Sequence, residues 1–382
     1  MTPRSYTLFA GRDDLSHSGS KTLKKLADVS LALTEAYGVP RTIRVTLPTI
    51  HIDSSEDFAM DLAMASRWYE LALKHGIRWV NQPFEFSSAG AVEESFLNLI
   101  TNFISKHDRM FASLNDRTYP AVDKASSSYA KICKALSRHD HMGFSNFRFG
   151  VGFNITPYTP FFPFSVGGET GFSVALESLP LIREEWERSA SFPDIVQTLT
   201  ENLQQAAGLF EQIAGQFDCQ YHGADWSLAP LPNGKETVVG FIETVSGNLI
   251  GSGGALSAVA RLTQCLKAPM AEPAGLKGTG FNGVMLSVLE DDVLASRFSH
   301  RNVSVNDLLL YSSVCGCGLD MVPVSGDTSE DAIAEFASDT AHLAFRLNKP
   351  LGVRFLPISR LREGQKTTFS HDFVNNSAVV RL

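Results

Sequence analysis

The fold class is decided by three consecutive segments: SYTLFA at residues 5–10, KTLKKLADVSLALTEAY at 21–37 and TIRVTL at 42–47. The third segment alternates apolar with polar side chains, as a half-buried strand does. The second has helical length and is followed by Gly38 and then Pro40, which is typical of a helix end. A strand, a helix and a strand in this order favour a mostly parallel sheet or barrel with helices outside it.

The same rhythm continues along the chain. Further helices are predicted at residues 57–75, 91–105, 125–137, 255–265, 303–314 and 328–347, with one or two more at 181–217. Further strands are predicted at residues 77–80, 146–153, 220–228, 283–288, 318–324 and 351–356. No linker rich in proline, glycine or serine divides the chain, and the aromatic, proline-rich run at 157–164 is typical of a packed loop. We therefore expect one α/β domain over residues 1–382.

Composition limits the classes of function. The formal net charge of −8 disfavours a nucleic-acid partner or an anionic membrane, because both require a basic face. Five scattered cysteines, an odd number, indicate reduced thiols, and neither a signal-peptide core nor a membrane-spanning run is visible. We expect a cytoplasmic protein with a small-molecule ligand. A homodimer is expected only because two-fold dimers are the commonest assemblies.

The most distinctive segment is LLLYSSVCGCGLDMVPVSGDT, residues 308–328. Glycines beside Cys315 leave this thiol little steric cover, and a nearby helix N-terminus would favour the thiolate. Cys315 is therefore a candidate nucleophile or radical-bearing thiol. The alternative is a small buried apolar residue on a glycine-rich turn.

Two carboxylates lie beside the strand that follows these thiols. Asp320 and Asp327 are candidates for catalysis, because active sites of α/β proteins gather at the carboxyl ends of parallel strands. Asp327 has a structural alternative: it precedes a predicted capping box formed by Thr328 and Asp331, where a negative charge complements the helix dipole.

A second acidic pair is predicted to bind a metal ion. Asp225 lies where the strand in CQYHGADWSLAPLP (219–232) ends, and Glu243 follows another short element. Two carboxylates from separate strand ends could coordinate Mg²⁺ or Ca²⁺. Alternatively, they are solvated or paired with arginine. His222, in the same segment, is a candidate acid–base and substrate-binding group.

Three further residues are predicted to bind substrate. Gly168 and Glu169 belong to a loop at 154–171 that is expected to cover a pocket, where paired glycines could cradle an anion. Arg354, on the last predicted strand, could hold a carboxylate through two hydrogen bonds. Its alternative is an ordinary surface ion pair.

Several motifs together resemble one protein family. They are RSYT (4–7), FRF (147–149), PYTPFFP (157–163), DWSLAP (225–230), GVMLSVLED (283–291), YSSVCGCGLD (311–320), Pro323, GDT (326–328) and KP (349–350). In this order they resemble the domain-of-unknown-function 711 proteins, which are grouped with the pyruvate formate-lyase-like superfamily. The resemblance implies a ten-stranded α/β barrel like that of glycyl radical enzymes, with two parallel half-sheets and outer helices.

The family resemblance matches Cys315 to the family's cysteine, whereas Cys317 departs from the usual small residue. Glycyl radical chemistry is not expected, because no Arg-Val-Ser-Gly-Tyr type motif is present near the C-terminus. The sequence thus predicts a cytosolic enzyme that acts on a small anionic molecule inside the barrel, using Cys315, nearby carboxylates and an optional divalent ion. The alternative is a non-catalytic small-molecule-binding or regulatory protein that retains the barrel.

Overall fold

The computed structural model describes residues 1–12, 19–52, 55–86, 92–117 and 122–382. Within these ranges the strands are β1 (Thr2–Phe9), β2 (Thr42–Thr46), β3 (Ile50–His51), β4 (Trp79–Glu85), β5 (Met110–Asp116), β6 (Phe149–Phe153), β7 (Gly171–Glu177), β8 (Gln220–Asp225), β9 (Gly318–Ser325) and β10 (Leu351–Ile358). The α-helices are α1 (Gly19–Tyr37), α2 (Ser55–Lys74), α3 (Glu94–Lys106), α4 (Val122–His139), α5 (Leu179–Ser189), α6 (Phe192–Gln216), α7 (Val238–Ser246), α8 (Ala255–Lys267), α9 (Asp292–Ser299), α10 (Val305–Tyr311) and α11 (Glu330–Arg346).

All ten strands belong to one mixed sheet. Its order is β8-β7-β1-β2-β4-β5-β6-β10-β9, with β3 paired to β4. Strands β1 to β6 run parallel to one another, whereas β7 is antiparallel to β1 and β10 is antiparallel to β6. Strand β8 is parallel to β7 and β9 is parallel to β10. The sheet therefore consists of two sets of parallel strands that run in opposite directions.

The sheet does not close into the expected barrel, because its two end strands, β8 and β9, do not pair with each other. Between them lies the segment 278–287, which was predicted to contain a strand at 283–288. It forms only isolated parallel bridges: Gly278 and Val284 pair with residues 224 and 228, and Ser287 then pairs with Asp320 of β9. The segment runs from β8 to β9, so it does not form a continuous ladder of hydrogen bonds with either strand.

The two faces of the sheet differ in what covers them. On β1, Tyr6 and Leu8 pack with Leu23 and Leu26 of α1 in the main apolar core. The side chain of Thr7, on the opposite face, donates a hydrogen bond to the Pro160 carbonyl at 3.1 Å. Helices thus cover one face, and the loop around Pro160 covers the other.

The loop at residues 157–166 is a packed loop, as the sequence predicts. Its residues from Thr159 to Val166 are all buried. Ser165 lies 2.6 Å from the Thr46 hydroxyl and accepts a hydrogen bond at its carbonyl from Asn81. These contacts place the loop's phenylalanines against the polar face of the sheet.

The stretch at 181–217, predicted to contain one or two helices, contains two, α5 and α6, separated at Ala190, which adopts a left-handed backbone with φ of 48°. The N-terminal cap of one helix differs from the prediction. The last helix is capped by Ser329, whose side chain accepts a hydrogen bond from the Ala332 N–H, rather than by Thr328. Among the described residues, no helix has the length and apolarity needed to cross a membrane.

Candidate functional site

The face of the sheet opposite the helices encloses a cavity of about 50 Å³, here called the interior cavity. By the same measure one water molecule needs roughly 10–15 Å³, so the cavity has room for a few waters or a small anion. Its lining combines cations, carboxylates, a thiol and apolar side chains. These residues are Arg4, Arg44, Phe161, Phe162, Phe164, Ala229, Met285, Glu290, Cys317, Asp320 and Arg354.

Asp320 and Arg354 form a buried ion pair across neighbouring strands β9 and β10. Arg354 Nε lies 2.8 Å from Asp320 Oδ1 and Nη2 lies 2.9 Å from Oδ2, while both side chains are only 4% exposed. The register shifts here: Arg354 alone stands opposite Asp320 and Met321, and Met321 has φ of 53°. Such a bulge redirects side chains. The sequence-based alternative for Arg354, a surface ion pair, is therefore wrong.

Arg4 forms a second, more loosely paired contact. Its Nη1 lies 3.4 Å from Glu177 at the end of β7, and it donates hydrogen bonds to the carbonyls of Ala229 and Pro230 at 3.2 and 3.0 Å. Arg41 also approaches Glu177, at 3.5 Å, from the solvent side. Glu177 thus offsets the positive charge of Arg4.

Arg44 differs from the other two arginines of the cavity. Its Nε donates to the Thr42 hydroxyl at 2.7 Å and its Nη1 donates to the Pro160 carbonyl at 3.1 Å. No carboxylate of the described residues lies within ion-pair distance of it. Burial lowers the pKa of Arg44 to about 9, with a further contribution from Arg4. An anion beside this guanidinium would relieve both effects.

Glu290 is an acidic residue in the lining of the same cavity. One carboxylate oxygen lies 3.9 Å from Arg354 Nη2, beyond hydrogen-bonding distance. Burial raises the pKa of Glu290; Arg354 opposes this shift and the charge of Asp320 reinforces it. A carboxyl group with a raised pKa keeps its proton to a higher pH than an ordinary carboxyl group, and general acids and bases are tuned in this way. When Glu290 is protonated, the charge of Arg44 has no carboxylate to balance it within the described lining, and the lining has a net positive charge.

The two thiols of the glycine-rich turn occupy different environments. Cys317 lines the interior cavity and accepts a hydrogen bond from the Leu286 N–H at 3.2 Å, whereas Cys315 packs in the main apolar core. Each is 1% exposed. Interaction between the two thiols lowers the pKa of Cys315 and raises that of Cys317. Of the two, Cys315 therefore ionises more readily, and Cys317, which faces the cavity, keeps its proton more firmly.

A second cavity of about 60 Å³ adjoins the interior one and shares its charged lining. Arg4, Arg44, Phe162, Glu290 and Arg354 line both. The added walls are largely aromatic, from Trp79, Phe111, Phe147 and Phe373. These rings provide an apolar approach to a charged interior, an arrangement common in small-molecule sites.

The family model described as Uncharacterised ACR (DUF711) matches residues 7–370. The chain belongs to this family. It is 26% identical to a UPF0210 protein of Pyrobaculum arsenaticum, with 92% of this chain and 81% of that protein aligned. A UPF0210 protein of Sulfurisphaera tokodaii is also 26% identical, over 92% of this chain and 83% of its own length. One from Lacticaseibacillus casei is 28% identical over 48% of this chain and 41% of its own.

The proposed metal ligands are engaged by other protein groups. Asp225 is fully buried and accepts backbone hydrogen bonds from Ser227 at 2.8 Å and Phe281 at 2.6 Å. Glu243 lies within helix α7, not at a strand end, and binds Arg297 through both oxygens at 2.9 and 2.8 Å. Within the ranges that the structure describes, no three histidine, cysteine or acidic side chains cluster as metal ligands would. Asp225 and Glu243 therefore do not fit a shared Mg²⁺ or Ca²⁺.

The other predicted residues lie away from the interior cavity. Asp327 is exposed and accepts a hydrogen bond from Ser325, which lowers its pKa. Gly168 and Glu169 are exposed, and Gly168 lines a different cavity. His222 is 6% exposed and stacks on Tyr158 with ring centroids 3.5 Å apart; burial lowers its pKa to about 4.

The interior cavity thus contains two residues predicted from sequence, Asp320 and Arg354, and several that were missed. Arg4 and Glu290 stand within two motifs of the family resemblance, RSYT and GVMLSVLED, so the motifs held a usable signal. Arg44 had none beyond its place on a predicted strand. Its importance follows from what surrounds it in the folded chain.

Proposed function

We propose that the interior cavity binds a small carboxylate or a similar oxyanion and that the protein is an enzyme acting on it. The observation that carries this proposal is the state of Arg44. It lines the cavity with Arg4 and Arg354, yet those two have carboxylate partners and Arg44 has none among the described residues. Guanidinium groups bind planar carboxylates through paired hydrogen bonds.

In the proposed reaction Glu290 exchanges a proton with the bound anion. Its raised pKa and its position beside the three arginines support this role. Asp320 orients the Arg354 guanidinium through its hydrogen bonds and stabilises its positive charge. Cys317 faces the bound anion, and because interaction with Cys315 raises its pKa it stays protonated and can donate a hydrogen bond to that anion. The opposed sets of parallel strands support, as a further proposal, kinship with the pyruvate formate-lyase-like superfamily. A cytoplasmic location and a homodimer stay predictions.

The test is calorimetric titration with a panel of one- to four-carbon mono- and dicarboxylates. We expect one or more to bind, and Arg44→Met to weaken binding at least about tenfold, because a hydrogen bond to a charged group contributes roughly 1.5–3 kcal/mol. Arg188→Gln, which alters a surface arginine paired with Glu185, is the matched control. Equal affinity of the Arg44→Met variant would contradict the proposal.

The non-catalytic alternative is favoured by one observation: Arg4 and Arg354 already have partners without any ligand. The two functions separate in a Glu290→Gln variant. An enzyme of the proposed kind loses turnover on the identified anion while binding persists. A binding protein shows no turnover in either form. For the thiols, we expect Cys317→Ala to lower turnover more than Cys315→Ala.

A further inference from the structure

A further, larger cavity lies at the carboxyl ends of the parallel strands. It measures about 370 Å³ and is here called the edge cavity. Arg12 follows β1, His51 lies in β3, Glu85 ends β4 and Arg117 follows β5. Because these strands are parallel, their carboxyl ends meet at one edge, where ligands of α/β proteins commonly bind. Arg44 and the interior cavity lie toward the amino ends of the same strands.

The edge cavity is rich in uncommitted positive charge. Arg12 and Arg117 form no ion pair or hydrogen bond with the described residues, and both are exposed. Exposed arginines are ordinary when they stand alone. Here two of them flank one cavity together with His51, while Glu85 is the only carboxylate among the described residues of its lining. The described lining therefore has a net positive charge, in a chain whose net charge is −8.

The remaining wall suits the close approach of an anion. Gly168 has no side chain, and a Cβ there would meet only the Tyr158 hydroxyl, at 3.9 Å. Thr49 and Glu85 add a hydroxyl and a carboxylate to the lining. A carboxylate cannot bind an anion, but it accepts hydrogen bonds from hydroxyl groups. The cavity thus offers cations for an oxyanion and polar acceptors for a neighbouring hydroxyl.

We propose that the edge cavity binds a phosphorylated small molecule that carries hydroxyl groups, with Arg12 and Arg117 on the phosphate and Glu85 on a hydroxyl. Arginine is the preferred partner of phosphate because its guanidinium matches the geometry of the oxygens. A volume of about 370 Å³ lies within the usual range of small-molecule sites, roughly 300–1,000 Å³. This site is independent of the interior cavity and of the function proposed for it.

The experiment is calorimetric titration of the purified chain with glycerol 3-phosphate, with inorganic phosphate and with glycerol, each in a separate run. We expect glycerol 3-phosphate to bind, inorganic phosphate to bind more weakly, and glycerol not to bind. The single variants Arg12→Gln and Arg117→Gln should each bind phosphate about tenfold more weakly. Arg188→Gln, which alters an arginine outside both cavities, should leave it unchanged.

Two results would overturn the proposal. They are no binding of either phosphate compound at millimolar concentration, and equal affinity in the Arg12→Gln, Arg117→Gln double variant. Equal affinities for glycerol 3-phosphate and inorganic phosphate would support the phosphate contacts and overturn the role of Glu85. Because both arginines are exposed, circular dichroism should show the double variant folded like the parent chain.

Discussion

The interior and edge cavities both contain several arginines, but they treat those charges differently. In the interior, Arg354 and Arg4 have carboxylate partners, and Asp320 and Arg354 are each nearly inaccessible to solvent. At the edge, Arg12 and Arg117 stand in solvent without a partner among the described residues. Water can solvate an exposed charge, whereas a buried one requires a partner. An unpaired arginine is therefore informative at Arg44 in a way that it is not at Arg12.

The largest effect is expected for the buried pair. Asp320→Asn removes the carboxylate hydrogen-bonded to Arg354 and leaves only Glu290, 3.9 Å away, so we expect the free energy of unfolding to fall by about 3–5 kcal/mol in urea titrations. Glu363→Ala, which breaks the exposed pair with Arg301, should cost at most about 1 kcal/mol.

A double variant sharpens this result. Adding Arg354→Met to Asp320→Asn removes the stranded charge, and much of the lost stability should return. A double variant no more stable than Asp320→Asn alone would show that the loss comes from packing rather than from charge.

The next effect concerns Arg44. In the absence of ligand, Arg44→Met removes a partly buried charge that has no carboxylate partner, so we expect the free energy of unfolding to rise, by about 1 kcal/mol. Arg4→Met should have the opposite sign, because it leaves Glu177 with the exposed Arg41 alone and removes the donor to two carbonyls. Thermal unfolding of both variants is the measurement, and a destabilised Arg44→Met would break the contrast between the two arginines.

Glu290 should reveal itself through pH. Because its folded-state pKa is raised above the ordinary value of 4.5, the folded chain holds a proton that the unfolded chain loses as the pH rises above that value. We therefore expect Glu290→Gln to match the parent in stability below about pH 4.5 and to become the more stable of the two as the pH rises.

Glu243→Gln is the opposite control. Arg297 lowers the pKa of Glu243, so that carboxylate stabilises the fold above its ordinary pKa and its contribution disappears as the pH falls. The Glu243→Gln variant should be the less stable at neutral pH and approach the parent in acid. If both variants shifted in the same direction, the assignment for Glu290 would fail.

The smallest effect belongs to the edge cavity. Arg12→Gln and Arg117→Gln should change the free energy of unfolding by no more than about 0.5 kcal/mol, as surface substitutions usually do. A loss comparable to that of Asp320→Asn would mean that these side chains have a structural role.

The sequence predicted many of the strands and helices, but it missed strands β3, β5 and β7 and helices α7 and α9. In β5, MFASLND at residues 110–116, Ala112 and Leu114 alternate with the polar residues Ser113 and Asn115, but all seven residues are buried. The alternation spans only about four residues, the shortest run that indicates a strand. The predicted strand at 283–288 failed for the opposite reason: its apolar composition is that of a strand, but it crosses between two edges and pairs with each only briefly.

Periodicity and motifs are local properties of the chain, so the amino-acid sequence was enough to predict the α/β class and the family, and it named Asp320 and Arg354 as candidate site residues. Which charges meet depends on the tertiary structure. Asp225 and Glu243 were bound by N–H and guanidinium groups that stand more than 50 residues away, at Phe281 and Arg297. Arg4, Arg44 and Glu290, from both ends of the chain, were brought into one cavity. Coulombic interactions depend on distance in space and on burial, and neither can be read from spacing along the chain.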